Sequence, residues 1–156
     1  LSTTPPRPEA PAPDADPVRL IRHGPRCLRL RWRLEALRAL LDGHSFWATG
    51  RSQAQLRRML AGSQVVVSAW RGNALVGFGR ATSDGVFRAV LWDVVVAEDE
   101  QGRGLGRRIV EELLAGPAVA GVERIYLMTT SGQGFYERLG FSQTQSQQLM
   151  LKKTSG

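Results

Sequence analysis

The sequence predicts a mixed α/β fold: a central, mostly antiparallel sheet flanked by about four helices. Three observations lead there. Apolar residues recur at helical spacing in two early stretches, 29–42 and 53–61. Three β-rich runs separated by short turn sequences follow, between 64 and 96. Helix-like and strand-like segments then alternate to the end, with no internal repeat. At 156 residues, 42% hydrophobic and 22% charged, the chain has the size and apolar content of one domain with a real core.

Residues 1–17 hold six prolines and no apolar periodicity, the composition of a disordered leader with little to bury. The segment lacks the apolar stretch of a signal peptide. Glu9, Asp14 and Asp16 depart from the acid-poor pattern of a transit peptide. A single domain is therefore expected over 18–153. Its first strand is 18–21. Leu30, Leu34, Leu37 and Leu41 predict one amphipathic helix over 29–42, stopped by Gly43. A second helix, 53–61, has Ser52 as its cap and Gly62 as its stop, with Leu56, Met59 and Leu60 inward.

The runs 64–70, 75–82 and 86–96 read as an antiparallel meander, turning at Arg71-Gly72-Asn73 and Ser83-Asp84-Gly85. Val94-Val95-Val96 is apolar without alternation, as in a strand covered on both faces. Residues 104–115 form a helix with Leu105, Ile109, Val110, Leu113 and Leu114 on one side. A strand at 124–129, a short helix at 134–139 closed by Gly140, and a last strand ending at 149–152 complete six strands.

Composition narrows the function. Cys27 is alone, so no disulfide can form within this sequence and no cysteine-based zinc cage is available. His23 and His44 with scattered acids show no metal-ligand spacing. No apolar run approaches the ~20 residues of a membrane span. A reducing, cytoplasmic setting follows as the expectation. Residues 1–83 carry thirteen arginines against five acids, while 84–156 carry eight basic residues against nine acids. Such a basic half suits an anionic partner, either nucleic acid or a phosphate-bearing cofactor. No helix-turn-helix, RRM-type or zinc-finger pattern accompanies it, which favours the cofactor.

The chemistry lies in Gln101-Gly102-Arg103-Gly104-Leu105-Gly106, between a buried strand and a helix. Backbone N–H groups there have no helical partner, glycines let them converge, and the helix dipole adds positive charge. Arg103, Arg107 and Arg108 add full charges. A phosphate or pyrophosphate is the expected ligand; a tight strand-to-helix turn is the alternative. The spacing is neither that of a P-loop, which needs a Gly-Lys pair, nor that of G-x-G-x-x-G.

The run Val94-x-Val96-x4-Gln101-x-x-Gly104-x-Gly106 resembles the coenzyme A pyrophosphate motif of the GCN5-related N-acetyltransferases (GNAT superfamily). Phe135-Tyr136-Glu137-Arg138-Leu139-Gly140-Phe141 is similar to that family's F-Y-x-x-x-G-F signature. Ala81-Thr82-Ser83-Asp84 and Leu91-Trp92-Asp93-Val94-Val95-Val96 look like its cyanobacterial and chloroplast branch, which includes serotonin N-acetyltransferases and enzymes that also acetylate protein lysines. The likeness covers roughly residues 18–152.

The resemblance implies a sheet splayed at a bulge, with acetyl-CoA as co-substrate and no metal. Pantetheine would lie in the opening against the main chain of Val94, Val95 and Val96. Amides of Gln101, Gly102, Arg103, Gly104, Leu105 and Gly106, with Arg107, would hold the pyrophosphate. Ser131, or Thr130, stands near where many relatives place a cofactor-contacting Asn. Tyr136 matches the acid that protonates the departing thiolate, a task a phenol of pKa ~10 can perform at neutral pH.

The base is less clear. The usual Glu or His positions hold Trp92 and Val90. Asp93 is the nearest carboxylate, either a base or a structural hydrogen-bond anchor. Strict alternation points it away from Trp92, whereas a bulge could turn it inward. Asp84, in a turn, is a second candidate, and a water chain could replace a dedicated base. Phe46, Trp47 and Trp92 could wall an acceptor site for an arylalkylamine; protein lysine is the other acceptor. The expected protein is a bacterial, cytoplasmic N-acetyltransferase, monomer or homodimer. The rival is a non-catalytic coenzyme A sensor or nucleic-acid-binding module.

Overall fold

A five-stranded sheet in simple sequence order, β1-β2-β3-β4-β5, organises the protein. In this computed structural model residues 16–154 are described, so the expected leader falls almost wholly outside the described residues. The elements are β1 (Val18–Arg22), α1 (Leu28–Arg31), α2 (Leu34–His44), α3 (Gln53–Ala61), β2 (Val65–Arg71), β3 (Ala74–Ser83), β4 (Arg88–Val96), α4 (Leu105–Ala115), α5 (Pro117–Ala120), β5 (Arg124–Tyr126) and α6 (Gln133–Glu137). The first four strands are antiparallel neighbours. β5 joins β4 in parallel through three residue pairs, Arg88 with Arg124 to Val90 with Tyr126.

The meander follows from its turn residues. Gly72 and Gly85 both take positive φ, 58° and 80°, which L side chains adopt at a cost. α3 begins as its sequence demands: the Ser52 hydroxyl accepts from the Gln55 N–H while the Gln55 side chain accepts from the Ser52 N–H. α4 packs on β3 where that strand has no side chains. A Cβ on Gly77 or Gly79 would stand 2.7 or 2.9 Å from Ile109, so the two glycines set how closely helix and sheet approach. Phe78, between them, is fully buried on the other face, where α2 covers the sheet.

Three expectations need correction. The predicted helix over 29–42 is two helices, broken at Trp32 and Arg33. Arg29 and Arg33 lay their guanidinium groups 4.7 and 5.2 Å from the ring centroid of buried Trp70, and Arg33 also donates to the Asn73 carbonyl. These contacts hold the short α1 against the sheet. Leu30, Leu34, Leu37 and Leu41 are nevertheless all buried, so the pattern was right and the continuity was not. The strand predicted over 124–129 stops at Tyr126.

The last strand is absent. Residues 142–154 form no strand, and Leu149, Met150 and Leu151 are exposed. The polar run 142–148 offers no apolar alternation to bury, so the short apolar stretch has no register to enter.

Candidate active site

The site begins with a fault in the β3–β4 register. Gly77 pairs with Val96 and Phe78 with Val95, but Arg80 pairs with Trp92. Asp93 and Val94 therefore share the single position opposite Gly79, a β-bulge. Asp93 is the extra residue and takes a left-handed φ of 53°. Among non-glycine residues, Asp and Asn tolerate that conformation best.

The bulge resets the alternation along β4 and turns Asp93 toward the face of Trp92. Arg80 shows this directly. Its Nε donates to Asp93 Oδ2 at 2.8 Å while its guanidinium lies 5.8 Å from the Trp92 ring centroid. Arg51 reaches the same carboxylate from the loop before α3, with Nη1 3.0 Å from Oδ2 and Nη2 3.3 Å from Oδ1. Trp47 Nε1 donates to Oδ1 at 3.0 Å. Burial alone would raise the Asp93 pKa. Hydrogen bonds and charges from Arg51 and Arg80 overcome it and hold the carboxyl below its ordinary range.

The same region of β4 is open at its other edge. Pairing with β5 ends at Val90, so the β4 backbone from Leu91 to Val96 faces no strand on that side. Val95 is buried, Val94 and Val96 half-buried. The Val96 carbonyl accepts from Gln101 Nε2 at 3.2 Å, which ties the strand end to the loop that follows.

That loop passes through a 3₁₀ turn, Glu98–Glu100, and then through Gly102 and Gly104 at φ 76° and 80°. Added Cβ atoms would meet nothing there, so backbone conformation and not space requires glycine. Gly104 caps α4 without a side-chain bond, and no acid sits in the first turn. The leading N–H groups of α4 thus face outward with the positive end of the helix dipole. The Leu105 side chain is buried, leaving its amide as the polar group available. Arg107 pairs with Glu111 at 2.8 Å, and Arg103 lies 3.9 Å from Glu100.

Glu100 is the hidden support of this loop. Its carboxylate is 7% exposed and takes Arg71 Nε and Nη2 at 2.7 and 2.9 Å. The Arg71 hydrogen bond holds the Glu100 carboxyl below its usual range. The loop is thereby fastened to the β2–β3 turn. Neither residue was expected in the site. The signal was faint: an acidic triplet directly before a basic glycine loop.

Tyr136 stands on α6 with Phe135 and Phe141 edge-on, ring centroids 4.9 and 5.9 Å away. Phe135 in turn lies 3.4 Å from where a Cβ on Gly106 would be, so α6 rests on the first turn of α4. Burial pushes the Tyr136 phenol up, which keeps it protonated at neutral pH.

Other expected residues fall less neatly. Ser131 is exposed, and Thr129 Oγ1, not Ser131, accepts the Gly132 N–H. Trp92 is half-buried and donates to Thr82 Oγ1 at 2.8 Å. Trp47 is half-exposed at the bulge; Phe46, 5.2 Å from it, points further into solvent at 71% exposure. Asp84 stays in its turn, where Oδ1 accepts from the N–H groups of Val86, Phe87 and Arg88. It lies roughly 13 Å or more from the bulge at about 3.3 Å per strand residue, so the structure separates it from the other candidates.

His23 bonds Ser68 Oγ, and burial pushes its pKa down to about 4. His44 Nδ1 accepts the Glu98 N–H, and Cys27 is buried. Among the described residues no group of three or more His, Cys, Asp or Glu is placed to hold a metal ion.

A bulge, an open strand edge and an uncapped helix start are thus gathered at one end of the sheet. The sequence profile of the Acetyltransferase (GNAT) family matches residues 31–141. The chain belongs to that family. Acetyltransferases of this family use acetyl-CoA. It is 45% identical over 98 residues to serotonin N-acetyltransferase 2, chloroplastic, of Oryza sativa subsp. japonica, covering 59% of this chain and 48% of that protein. It is 46% identical over 67 residues to GCN5-related N-acetyltransferase 1, chloroplastic, of Arabidopsis thaliana, covering 42% and 34%. The matches span about half or less of those relatives' lengths.

A solved GNAT-family acetyltransferase from Xanthomonas campestris superimposes with a TM-score of 0.73 at 26% identity, covering 90% of this chain and 95% of that one. No helix among the described residues is long and apolar enough to cross a membrane.

Two predictions follow from the ion pairs of this GNAT site. Asp93→Asn leaves two guanidinium groups facing each other and is expected to lower stability by about 3 kcal/mol near neutral pH, read from urea unfolding. Because the folded pKa of Asp93 is depressed, its contribution is full above the unfolded value of about 4 and is lost as pH falls through the folded value. The difference between wild type and variant should therefore shrink on acidification below about pH 4. Arg71→Gln releases the Glu100 clamp and should weaken acetyl-CoA binding roughly tenfold by calorimetry, through a looser loop. An unchanged affinity would show that the loop needs no such support.

Proposed function

We propose that this GNAT acetyltransferase moves the acetyl group of acetyl-CoA to a primary amine, chiefly an arylalkylamine such as serotonin or tryptamine, with protein lysine as a second acceptor. The observation that carries the proposal is the open β4 edge beside the bulge, running into the uncapped start of α4, on which the helix bearing Tyr136 rests through Phe135. An extended, amide-bearing chain fits an unpaired strand edge. A pyrophosphate fits the N–H groups of Gly102, Arg103, Gly104, Leu105, Gly106 and Arg107, whereas the expected Gln101 N–H donates instead to the Glu98 carbonyl at 3.3 Å. The co-substrate supplies an acetyl group on a thiol leaving group.

The Val94 main chain and the Val96 N–H are left at the open edge for the pantetheine arm; the expected Val95 main chain is turned to β3 opposite Phe78, and the Val96 carbonyl is engaged by Gln101. Tyr136 holds a proton at its hydroxyl and gives it to the departing sulfur. The burial that raises the phenol also disfavours a bare thiolate, so the proton transfer suits the site. Ser131 is left as a solvent-side contact to the cofactor.

Asp93 serves as an anchor and not as the base. Its carboxylate is occupied by two guanidinium groups and an indole N–H, and its lowered pKa makes it a poor proton acceptor near neutrality. Arg51, Asp93 and Arg80 together carry one net positive charge. A neighbouring ammonium ion is disfavoured by that charge, so the acceptor enters as the free amine and sheds its second proton to water. Trp47, pinned through Asp93, and Trp92 present the aromatic surface to the acceptor, with Phe46 at its outer rim.

The test is acetyl-CoA binding followed by thiol release across an amine panel. Tyr136→Phe should bind acetyl-CoA within about twofold of wild type and lose about 10²-fold or more in kcat. Equal kcat would remove Tyr136 from the acid role. Trp92→Ala should lower kcat/KM for tryptamine roughly tenfold while changing an aliphatic amine of similar length little. An unchanged ratio would move the preference to a lysine or polyamine acceptor. Tight binding with no thiol release on any amine would make the protein a coenzyme A sensor.

A further inference from the structure

The segment from 18 to 33 carries six arginines, Arg19, Arg22, Arg26, Arg29, Arg31 and Arg33, and no acid. The fold gathers them along the edge strand β1, the loop after it and α1. Among the described residues only Arg22 lies within ion-pair distance of a carboxylate, Glu112 at 3.3 Å, and that pair is exposed. Arg29 and Arg33 are spent on Trp70, yet their charge stays at this face. Arg31 Nε is buried without a hydrogen-bond partner. Arg19, opposite Trp70, lies on the α1 side of the sheet edge, and Arg22, paired with Glu112, on the α4 side; so much like charge around one sheet edge is costly unless something anionic visits it.

Apolar groups stand among these charges. Leu28 and Trp32, one helical turn apart and so on one side of α1, are 55% and 85% exposed. Beside them the surface formed by residues 21–29 is an open depression, with Ile21, Pro25 and Leu28 as its apolar part. Neither the loop 101–106 nor the bulge at Asp93 borders it.

We propose that this face is a docking surface for an acidic segment of a partner protein, one that carries a large apolar side chain among its carboxylates. The arginines meet the acids, while Leu28, Trp32 and the depression between them take the apolar anchor. A nucleic acid would satisfy the arginines and stack on Trp32, but has no aliphatic group to set against Leu28 and the apolar depression. A second copy of this chain would bring the same positive charges to the contact and be repelled. The claim concerns binding and is independent of the acyl-transfer reading. A protein acceptor with such a segment beside its lysine would be held by it during turnover.

The experiment uses the whole chain and two fluorescein-labelled peptides of about twelve residues. One alternates glutamates with two leucines; the other has glutamine for every glutamate. In low salt the acidic peptide should bind at least about tenfold tighter by anisotropy, an advantage falling to about twofold or less near 0.5 M NaCl. Arg26→Glu and Trp32→Ala should each weaken it about threefold or more, with unchanged melting and unchanged tryptamine turnover. Equal affinity for the two peptides, or no effect of either variant, would overturn the proposal. Tighter binding of a single-stranded oligonucleotide of matched charge would also overturn it, in favour of nucleic acid.

Discussion

Asp93 joins the two halves of the site. Its carboxylate receives hydrogen bonds from Arg80 on the neighbouring strand, from Arg51 before α3 and from Trp47 after α2. Its backbone is the extra residue of the bulge. A left-handed conformation at a non-glycine residue costs on the order of 1 kcal/mol, and a buried carboxylate costs more. Three directed donors offset both. The same arrangement that satisfies the charge fixes the bulge, and the bulge marks where β4 departs from regular pairing. The α2–α3 loop is fastened to that point, so the helical layer and the open strand edge keep their relation without a bound ligand.

The glycine loop is held on a parallel principle. Gly102 and Gly104 allow its path but do not impose it, since positive φ is permitted there and open space surrounds both residues. The path is imposed by Glu100 on Arg71 and by Gln101 on the Val96 carbonyl. A preorganised loop loses less entropy when it takes a ligand. Both ion-paired acids, Asp93 and Glu100, thus hold in place the flexible parts of a site whose binding groups are mostly backbone amides.

Much of this was legible in the sequence, and the limits were physical. The strand order through β4, the capped α3 and the glycine loop depend on local chemistry: turn glycines, a Ser52–Gln55 box, an apolar run before G-x-G-x-G. Each lies in the structure where the sequence puts it, the glycine loop as the connection from β4 to α4. The break between α1 and α2 was not legible, because the leucine phase is the same whether the helix is continuous or interrupted. The expected last strand rested on β-propensity at 149–152, which cannot supply a partner. Asp93 was ambiguous because one extra residue in β4 inverts the face of every side chain near it, and no local signal announces a bulge. The pairing of Arg80 with Asp93 was within reach, as two charges on adjacent apolar strands of a predicted meander. The reach of Arg51 and Arg71 was not, since those contacts span 42 and 29 residues.

The basic composition of the first half also acquires a finer meaning. Taken as a sum, thirteen arginines against five acids suggested a field for attracting anions. The fold divides them by task. Arg51, Arg71 and Arg80 are paired internally with Asp93 and Glu100, both acids of the second half. Arg29 and Arg33 cover an indole ring. These five act at short range, where geometry and low exposure make a guanidinium fork useful and salt has little effect. What remains among the described residues is a smaller set, Arg57 and Arg58 on α3 and the arginines around β1 and α1 at the edge of the sheet. The excess charge that first pointed to a phosphate ligand is therefore mostly elsewhere. The anion site at α4 depends on backbone amides and a helix dipole, with Arg103 and Arg107 already leaning on acids of their own.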